Sequence, residues 1–266
     1  NLATTGDMVY VPDNLQEGMA LQDFLQPKRI ILGLDNDEAL VKTRSLFRPF
    51  TVNLDALQLM SSREAEFTKF AITGMLAIRL GYINELANLA DLLKVDISVV
   101  QEGMGSDPRV GPHYLSPGCG FGGQNFDAYV STFSSILQQQ RDGSLLKAAV
   151  DENEQQKELL FRKFWQHYQG YVQGKVVAIW GASFKPGTAS IDNAPSLKII
   201  DALISQGVKV RVHDPEAMTK LQQYYLNEPL ICYANSPLDA VVGADALLLV
   251  TEWPEYWSPD YAQLLG

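Results

Sequence analysis

Apolar positions change their period two thirds of the way along the chain, and the change separates a helical stretch from an α/β stretch. From Ser61 to Val95 no proline interrupts the run, and Phe67, Ile72, Met75, Ile78, Ile83 and Leu89 fall on nearly every side of the helix they predict. A helix apolar all round is buried on all sides. In a chain this short the simplest way to bury one is between two subunits, so a homodimer built across residues 61–95 is expected. Ser61-x-x-Glu64 is a capping box that starts this helix. Asp96 caps a shorter one over 97–103, and helical patterns follow at 124–139 and 143–168. Upstream, 17–26 has helical spacing, and Arg29 to Leu34 (RIILGL) is a short buried-strand pattern. Asp35, with Glu38 three residues on, predicts a second capping box, in a helix that Pro49 ends. Residues 51–60 read as extended.

Beyond Gly170–Gly174, the expected domain boundary, short apolar runs alternate with helical patterns. Lys175 to Trp180 (KVVAIW), Val208 to His213 (VKVRVH), Leu230 to Tyr233 and Ala244 to Val250 are strands. Helices are predicted near 194–206, near 216–225 and from about Pro259. Strands alternating with helices form parallel βαβ units, so the last third is a doubly wound α/β domain. The fold class is therefore α/β, a helical domain with one long buried helix followed by a doubly wound parallel sheet.

Composition narrows the function classes. The 266 residues, 46% apolar and 20% charged, suit a globular protein of about two domains. A net charge of −10 argues against a nucleic-acid surface, since phosphate backbones are gripped by basic patches. Two cysteines, Cys119 and Cys232, make neither a disulfide scaffold nor a structural zinc site, and three scattered histidines argue against a metal centre. No run of 18 apolar residues predicts a membrane span, and 1–12 lacks the features of a signal peptide. A cytoplasmic protein without membrane or nucleic-acid partners is expected.

In a doubly wound sheet, ligands meet the carboxyl ends of the strands. The turn after the first strand of this domain runs from Gly181 through Lys185 to Gly187-Thr188. It is longer than the G-x-G-x-x-G that seats a pyrophosphate, and it carries a lysine. Asp214, at the end of the next strand, stands where a ribose-binding acid would, but without the fingerprint it reads as a turn acid. A second loop, 105–123, is dense in Gly and Pro. Its Gly118, Gly120, Gly122 and Gly123 would let backbone N–H groups approach a sugar or phosphate, beside a helix starting near Gln124; alternatively the loop only closes two helices.

Several segments resemble, in order, the UDP-glucose/GDP-mannose dehydrogenase family, which oxidises a nucleotide sugar at C6 with two NAD. They are Tyr-Val-Pro-Asp-Asn-Leu-Gln-Glu-Gly (10–18), Pro-Lys-Arg-Ile-Ile-Leu-Gly (27–33), Lys69 with Asn84-Glu85, and Asp107-Pro-Arg109-Val-Gly111. Tyr114-Leu115, Gly118-Cys-Gly-Phe-Gly-Gly123, Phe184-Lys185-Pro-Gly-Thr188, His213-Asp214-Pro215 and Thr251-Glu252-Trp253 complete the set. The resemblance implies that residues 1–60 are the end of an NAD-binding domain, 61–170 a central helical dimerisation domain and 171–266 a nucleotide-sugar-binding domain. It also implies that the chain starts after the NAD fingerprint and stops before the last strand of the third domain.

The resemblance places Lys69, Thr73, Asp13 and Asn125 at catalytic positions. It places Arg109, Tyr114, Leu115, Gly118, Gly120, Phe121, Gly122, Phe184 and Lys185 at substrate-binding positions, with Arg109 reaching the partner subunit's nucleotide. Without it, Arg109 and Lys185 read as surface cations. Several of these positions depart from the family. The family's nucleophilic cysteine is Asn125, its Lys-Asp pair is Ala128-Tyr129, its glutamate is Asp13 and its asparagine is Thr73. Its charged stretch after Lys-Pro-Gly-Thr reads Ala189-Ser190-Ile191-Asp192-Asn193. An amide nitrogen is not a nucleophile, so covalent catalysis at 125 is excluded. Cys119 is either a substitute or a buried apolar thiol. Lys69 must snorkel or face a cavity, one turn from Thr73, and Trp165, Trp253 and Trp257 read as core or interface residues. Two functions remain: an NAD-dependent nucleotide-sugar dehydrogenase, its substrate a UDP- or GDP-linked sugar, or a non-catalytic binding and dimerisation module.

Overall fold

A computed structural model describes residues 8–51, 56–140, 144–260 and 262. The chain divides into two compact units, 1–73 and 74–266, with the division inside one long helix. The helix expected from Pro259 lies largely outside the described residues, as does part of the extended stretch 51–60.

In the first unit a three-stranded sheet runs in the order β1 (Val9–Tyr10), β2 (Ile30–Leu34), β3 (Leu57–Met60), with β1 antiparallel and β3 parallel to β2. Ile30, Ile31 and Leu32 are buried, as the apolar run requires. Helices α1 (Ala20–Leu25) and α2 (Asp37–Phe47) accompany the sheet. The cap of α2 corrects the expected one by a residue. Asn36 is the N-cap, its Oδ1 accepting from Ala39 N at 2.7 Å. Asp35 instead accepts from Ser62 N and Oγ, at 3.3 and 2.9 Å. Gly33 lets the start of α3 (Ser62–Leu93) sit directly on β2, because a Cβ there would meet Ala65 at 2.7 Å. The Ser61–Glu64 capping box forms as expected, Ser61 N donating to Glu64 at 2.8 Å and Glu64 N to Ser61 Oγ at 3.4 Å.

In the second unit α3 continues, followed by α4 (Ile97–Ser106), α5 (Gln124–Gln140), α6 (Leu145–Gln156) and α7 (Leu159–His167). The single helix expected over 143–168 is thus two. It breaks at Lys157–Glu158, where Lys157 reaches Asn193 as well as Glu154, and the Gln155 carbonyl accepts from both Glu158 N and Arg162. Nor is α3 covered on every side. Ala77 and Ile83 are fully buried, whereas Met75, Tyr82 and Leu89, at every seventh position, are 58%, 52% and 50% exposed in the single chain.

The four strands β4 (Val176–Trp180), β5 (Lys209–His213), β6 (Ile231–Tyr233) and β7 (Ala246–Leu249) form a parallel sheet in the order β6-β5-β4-β7. The central strand β4 is buried on both faces. Val177 and Ile179 join one core with Ile199, Ile200 and Leu203 of α8 (Pro195–Ser205). Ala178 and Trp180 join the other with Trp253 and Tyr256. Each large side chain so buried contributes about 1.5–3 kcal/mol. Helix α9 (Met218–Tyr224) follows β5, and a five-residue helix, α10 (Pro237–Val241), capped by Ser236, was not expected. Strand order reverses beside β4, which makes its carboxyl end and that of β7 the switch point.

Candidate functional site

Three of the four expected catalytic residues lie in the first unit. Lys69 Nζ donates to the main-chain oxygen of Asp13. Its half-burial pushes its pKa down, against the pull of the Asp13 carboxylate. Thr73 is buried and gives its hydroxyl proton to Lys69 O at 3.0 Å, so its donor is turned onto its own helix. The Asp13 carboxylate accepts from Leu15 N at 2.9 Å.

The other residues belong to the second unit, where the glycine-rich loop 118–123 meets the turn after β4. Gly123 N donates to Asp192 O at 2.8 Å. A Cβ on Gly122 would come within 2.4 Å of Asn193 O, and one on Gly123, at φ +88°, within 2.8 Å of the Phe184 ring. Lys185 lies over that ring, its Nζ 5.6 Å from the centroid. The 122–123 end of the loop thereby lies against Phe184, beside Lys185, whereas Gly118 and Phe121 are held by α3 and α6. Three of the loop's own N–H groups, including that of Gly123, are committed. Gly118 N donates to Asn84 Oδ1 at 2.8 Å and Phe121 N to Asn153 Oδ1 at 2.7 Å. These glycines therefore serve close packing of the loop on its neighbours before any ligand is considered.

Asn125 is the exposed second residue of α5, with Ala128 exposed one turn on. Burial, with the nearby Glu252 carboxylate, pushes the Cys119 thiol up to about 12, so it stays protonated at neutral pH and is no ready nucleophile. Arg109 is fully exposed and forked onto Asp107, Nη2 to Oδ2 at 2.6 Å and Nε to Oδ1 at 3.0 Å. Arg79 fastens the adjoining loop, donating to Val110 O, Gly111 O and His113 O at 2.8, 2.9 and 2.6 Å. Tyr114 takes a positive φ of 58° beside buried Leu115. Trp253 is a core residue, whereas Trp165 and Trp257 are exposed in the single chain.

The turn after β4 already holds an anion of its own. Asp214 Oδ2 accepts from Ala182 N and Ser183 N at 2.7 and 2.9 Å, from Ser183 Oγ at 2.9 Å and from Trp253 Nε1 at 3.1 Å. Its Oδ1 accepts from Glu216 N and Ala217 N at 2.9 and 2.7 Å. Burial raises the carboxyl's pKa, but the four backbone donors outweigh it and hold it below the usual range. Asp214 is thus the turn acid. Gly181, at φ +91°, exists for packing, since a Cβ there would lie 2.3 Å from Thr251. The turn from β2 into α2, Leu34-Asp35-Asn36, has no glycine, and its Asp35 is engaged by Ser62. Neither turn fits the pyrophosphate of a dinucleotide.

Sequence reasoning passed over Asn153, Gln156 and Lys157, and met Asn193 only as part of the altered stretch 189–193. Lys157, 1% exposed, bonds Glu154 at 2.7 Å and Asn193 Oδ1 at 3.0 Å. The available signal was the α6 face itself, where the buried stripe of Leu146 and Ala149 runs on into Asn153 and Gln156. Among the described residues no group of three or more His, Cys, Asp or Glu could hold a metal ion, and no helix is long and apolar enough to cross a membrane.

Residues 63–155 match the central domain, and 178–266 the UDP-binding domain, of the UDP-glucose/GDP-mannose dehydrogenase family. The chain is 43% identical over 260 residues to a UDP-glucose 6-dehydrogenase of Pseudomonas aeruginosa, with 96% of this chain and 57% of the relative covered. It is 32% identical over 254 residues to the one of Rickettsia bellii, covering 95% and 58%. Among solved structures, a UDP-glucose dehydrogenase of Pyrobaculum islandicum superposes with a TM-score of 0.88 at 29% identity, over 96% of this chain and 58% of that one. The chain therefore spans somewhat over half the length of these relatives. With both domain models matched in order along one chain, this protein belongs to the UDP-glucose/GDP-mannose dehydrogenase family, of which it carries the central and UDP-binding domains.

Proposed function

We propose that the protein binds a UDP-linked sugar where the 118–123 loop meets the Phe184–Lys185 turn, as the substrate-holding part of an NAD-dependent nucleotide-sugar dehydrogenase. The observation that carries this is the packing of Phe184 on Gly123, together with the Gly123–Asp192 bond. It brings together two segments, distant in sequence, that the family resemblance assigns to the substrate. Uridine is favoured over guanosine by the UDP-binding description of 178–266 and by the relatives' names. Lys185 supplies a cation for the diphosphate, and Arg109, paired with a half-buried Asp107, would exchange that carboxylate for a partner subunit's nucleotide. NAD is the family's hydride acceptor. Neither the turn after β2 nor the turn after β4 suits its pyrophosphate.

A second reading, a non-catalytic binding and dimerisation module, is favoured by Asn125 at the nucleophile position and by the protonated Cys119. Two-stage oxidation to an acid needs a thiolate to trap the aldehyde. Dimerisation would cover the stripe of Met75, Tyr82 and Leu89 on α3.

Calorimetric titration with UDP, UDP-glucose, UDP-N-acetylglucosamine, GDP and GDP-mannose tests the proposal. Saturable binding of the uridine series, weakened about tenfold or more by Lys185→Ala, is expected. Absence of heat with every nucleotide would overturn the binding reading. NADH formation from UDP-glucose and NAD would eliminate the non-catalytic one.

A further inference from the structure

The glycine-rich loop has no strand or helix to satisfy its peptide groups, and what replaces that ladder is a set of side-chain amides. Asn153 pairs with both backbone groups of a single residue, Oδ1 accepting from Phe121 N at 2.7 Å and Nδ2 donating to Phe121 O at 3.0 Å. One turn on, Gln156 Nε2 donates to Gly118 O at 2.7 Å, and its Oε1 accepts from Asn88 Nδ2 at 2.9 Å. Asn84, one turn before Asn88 on α3, accepts from Gly118 N at 2.8 Å. Asn153 and Gln156 are each 3% exposed and Asn84 4%, so these bonds form away from water. Gly120 completes the fit. At φ +99° it passes so close to Asn153 Oδ1 that a Cβ would lie 2.9 Å from it.

We propose that Asn153 and Gln156 are positioning residues that hold the 118–123 loop in its ligand-receiving shape. The ligand half of this inference rests on the UDP-sugar reading above. The chemistry explains the residue type. An amide offers a donor and an acceptor side by side, the complement of the C=O and N–H that Phe121 turns to the same side. A carboxylate at 153 would face Phe121 O with no proton to give, and a lysine could not accept from Phe121 N. An uncharged clamp also adds no negative field beside the diphosphate of a nucleotide sugar. Glycine-rich backbone is conformationally loose, so a loop that must present a fixed surface needs such an external template.

Hydrogen–deuterium exchange of the 118–123 amides and UDP-glucose calorimetry, run on wild type, Asn153→Ala and Gln156→Met, test the proposal. Leu221→Ala, in the core of the C-terminal sheet, serves as a comparison that lowers global stability alone. In Asn153→Ala, exchange at 118–123 should rise at least about tenfold while that of β4 and β5 stays near wild type, and UDP-glucose affinity should fall about tenfold. Leu221→Ala should change neither the local exchange nor the affinity. If the loop in Asn153→Ala exchanges like wild type, or if Leu221→Ala weakens binding as much, the positioning role is overturned. If the loop loosens but UDP-glucose binds equally well, its tie to the ligand is overturned. If wild type binds no UDP-glucose while Asn153→Ala still loosens the loop alone, the ligand reading fails and the clamp stands.

Discussion

Removing the Asp214 carboxylate should unfasten the end of the C-terminal sheet. In Asp214→Ala, four backbone N–H groups and the Ser183 hydroxyl lose their acceptor inside a core that is 2% exposed at residue 214, and the Trp253 indole is left with Ser183 Oγ alone. Each buried donor left unmet costs about 1 kcal/mol or more, and relaxation or an entering water recovers part of the sum, so about 3–5 kcal/mol is expected at pH 7. Asp214→Asn keeps one acceptor oxygen but aims an NH2 at the same donors, and should cost somewhat less. The pH dependence carries a definite sign. The folded carboxyl titrates below its unfolded value of about 3.9, so its stabilisation is complete above about pH 4 and is lost as pH falls through the folded pKa. Urea unfolding followed by tryptophan fluorescence, from pH 7 to pH 2.5, should therefore show wild type and Asp214→Ala converging only on the acid side. A gap under about 1 kcal/mol at pH 7, or one that stays constant down to the lowest pH, would refute this account of Asp214.

Gly122→Ala should destabilise the chain by about 1–3 kcal/mol, because its Cβ meets the Asn193 carbonyl. Gly118→Ala, with nothing within 4 Å, should lie near wild type in the same urea titration. With Ellman's reagent at pH 8 the exposed Cys232 should react rapidly and the half-buried Cys119, its pKa near 12, far more slowly until the chain unfolds. Two equally fast thiols would contradict the burial of Cys119. Tyr82→Lys places a charge in the exposed stripe of α3 and should convert a dimer to monomers in sedimentation velocity. A Tyr82→Lys protein that sediments as wild type does would remove the stripe from the interface.

What the sequence revealed follows from how local each cause is. Strands β4 and β5 were legible because a central parallel strand, buried on both faces, reads as an unbroken apolar run. Helix α10 was missed because five residues are too few to display a period. Its signal was only Ser236 followed by Pro237 and Asp239. The cap of α2 was misplaced because Asp35 and Asn36 are chemically interchangeable there, and the deciding partner, Ser62, lies on another element. The break after Gln156 was invisible for the same reason, since Lys157 turns toward Asn193, 36 residues away. Motif order brought Gly118–Gly123 and Phe184–Lys185 to attention together. The amides that shape the loop carry no such motif, and only burial reveals them.

The occupied turn after β4 also constrains how this domain can change over evolutionary time. A chain drifting toward dinucleotide binding would have to turn the Asp214 carboxylate away from Ala182 N and Ser183 N before a phosphate could take those donors, which would stand unmet until the phosphate arrived. It would have to shorten the 181–188 turn as well, although Gly181 is wedged against Thr251. Each step alone lowers fitness through stability, and neither confers binding without the other. The aspartate that fastens this sheet is thereby also a stability barrier against remaking its first turn.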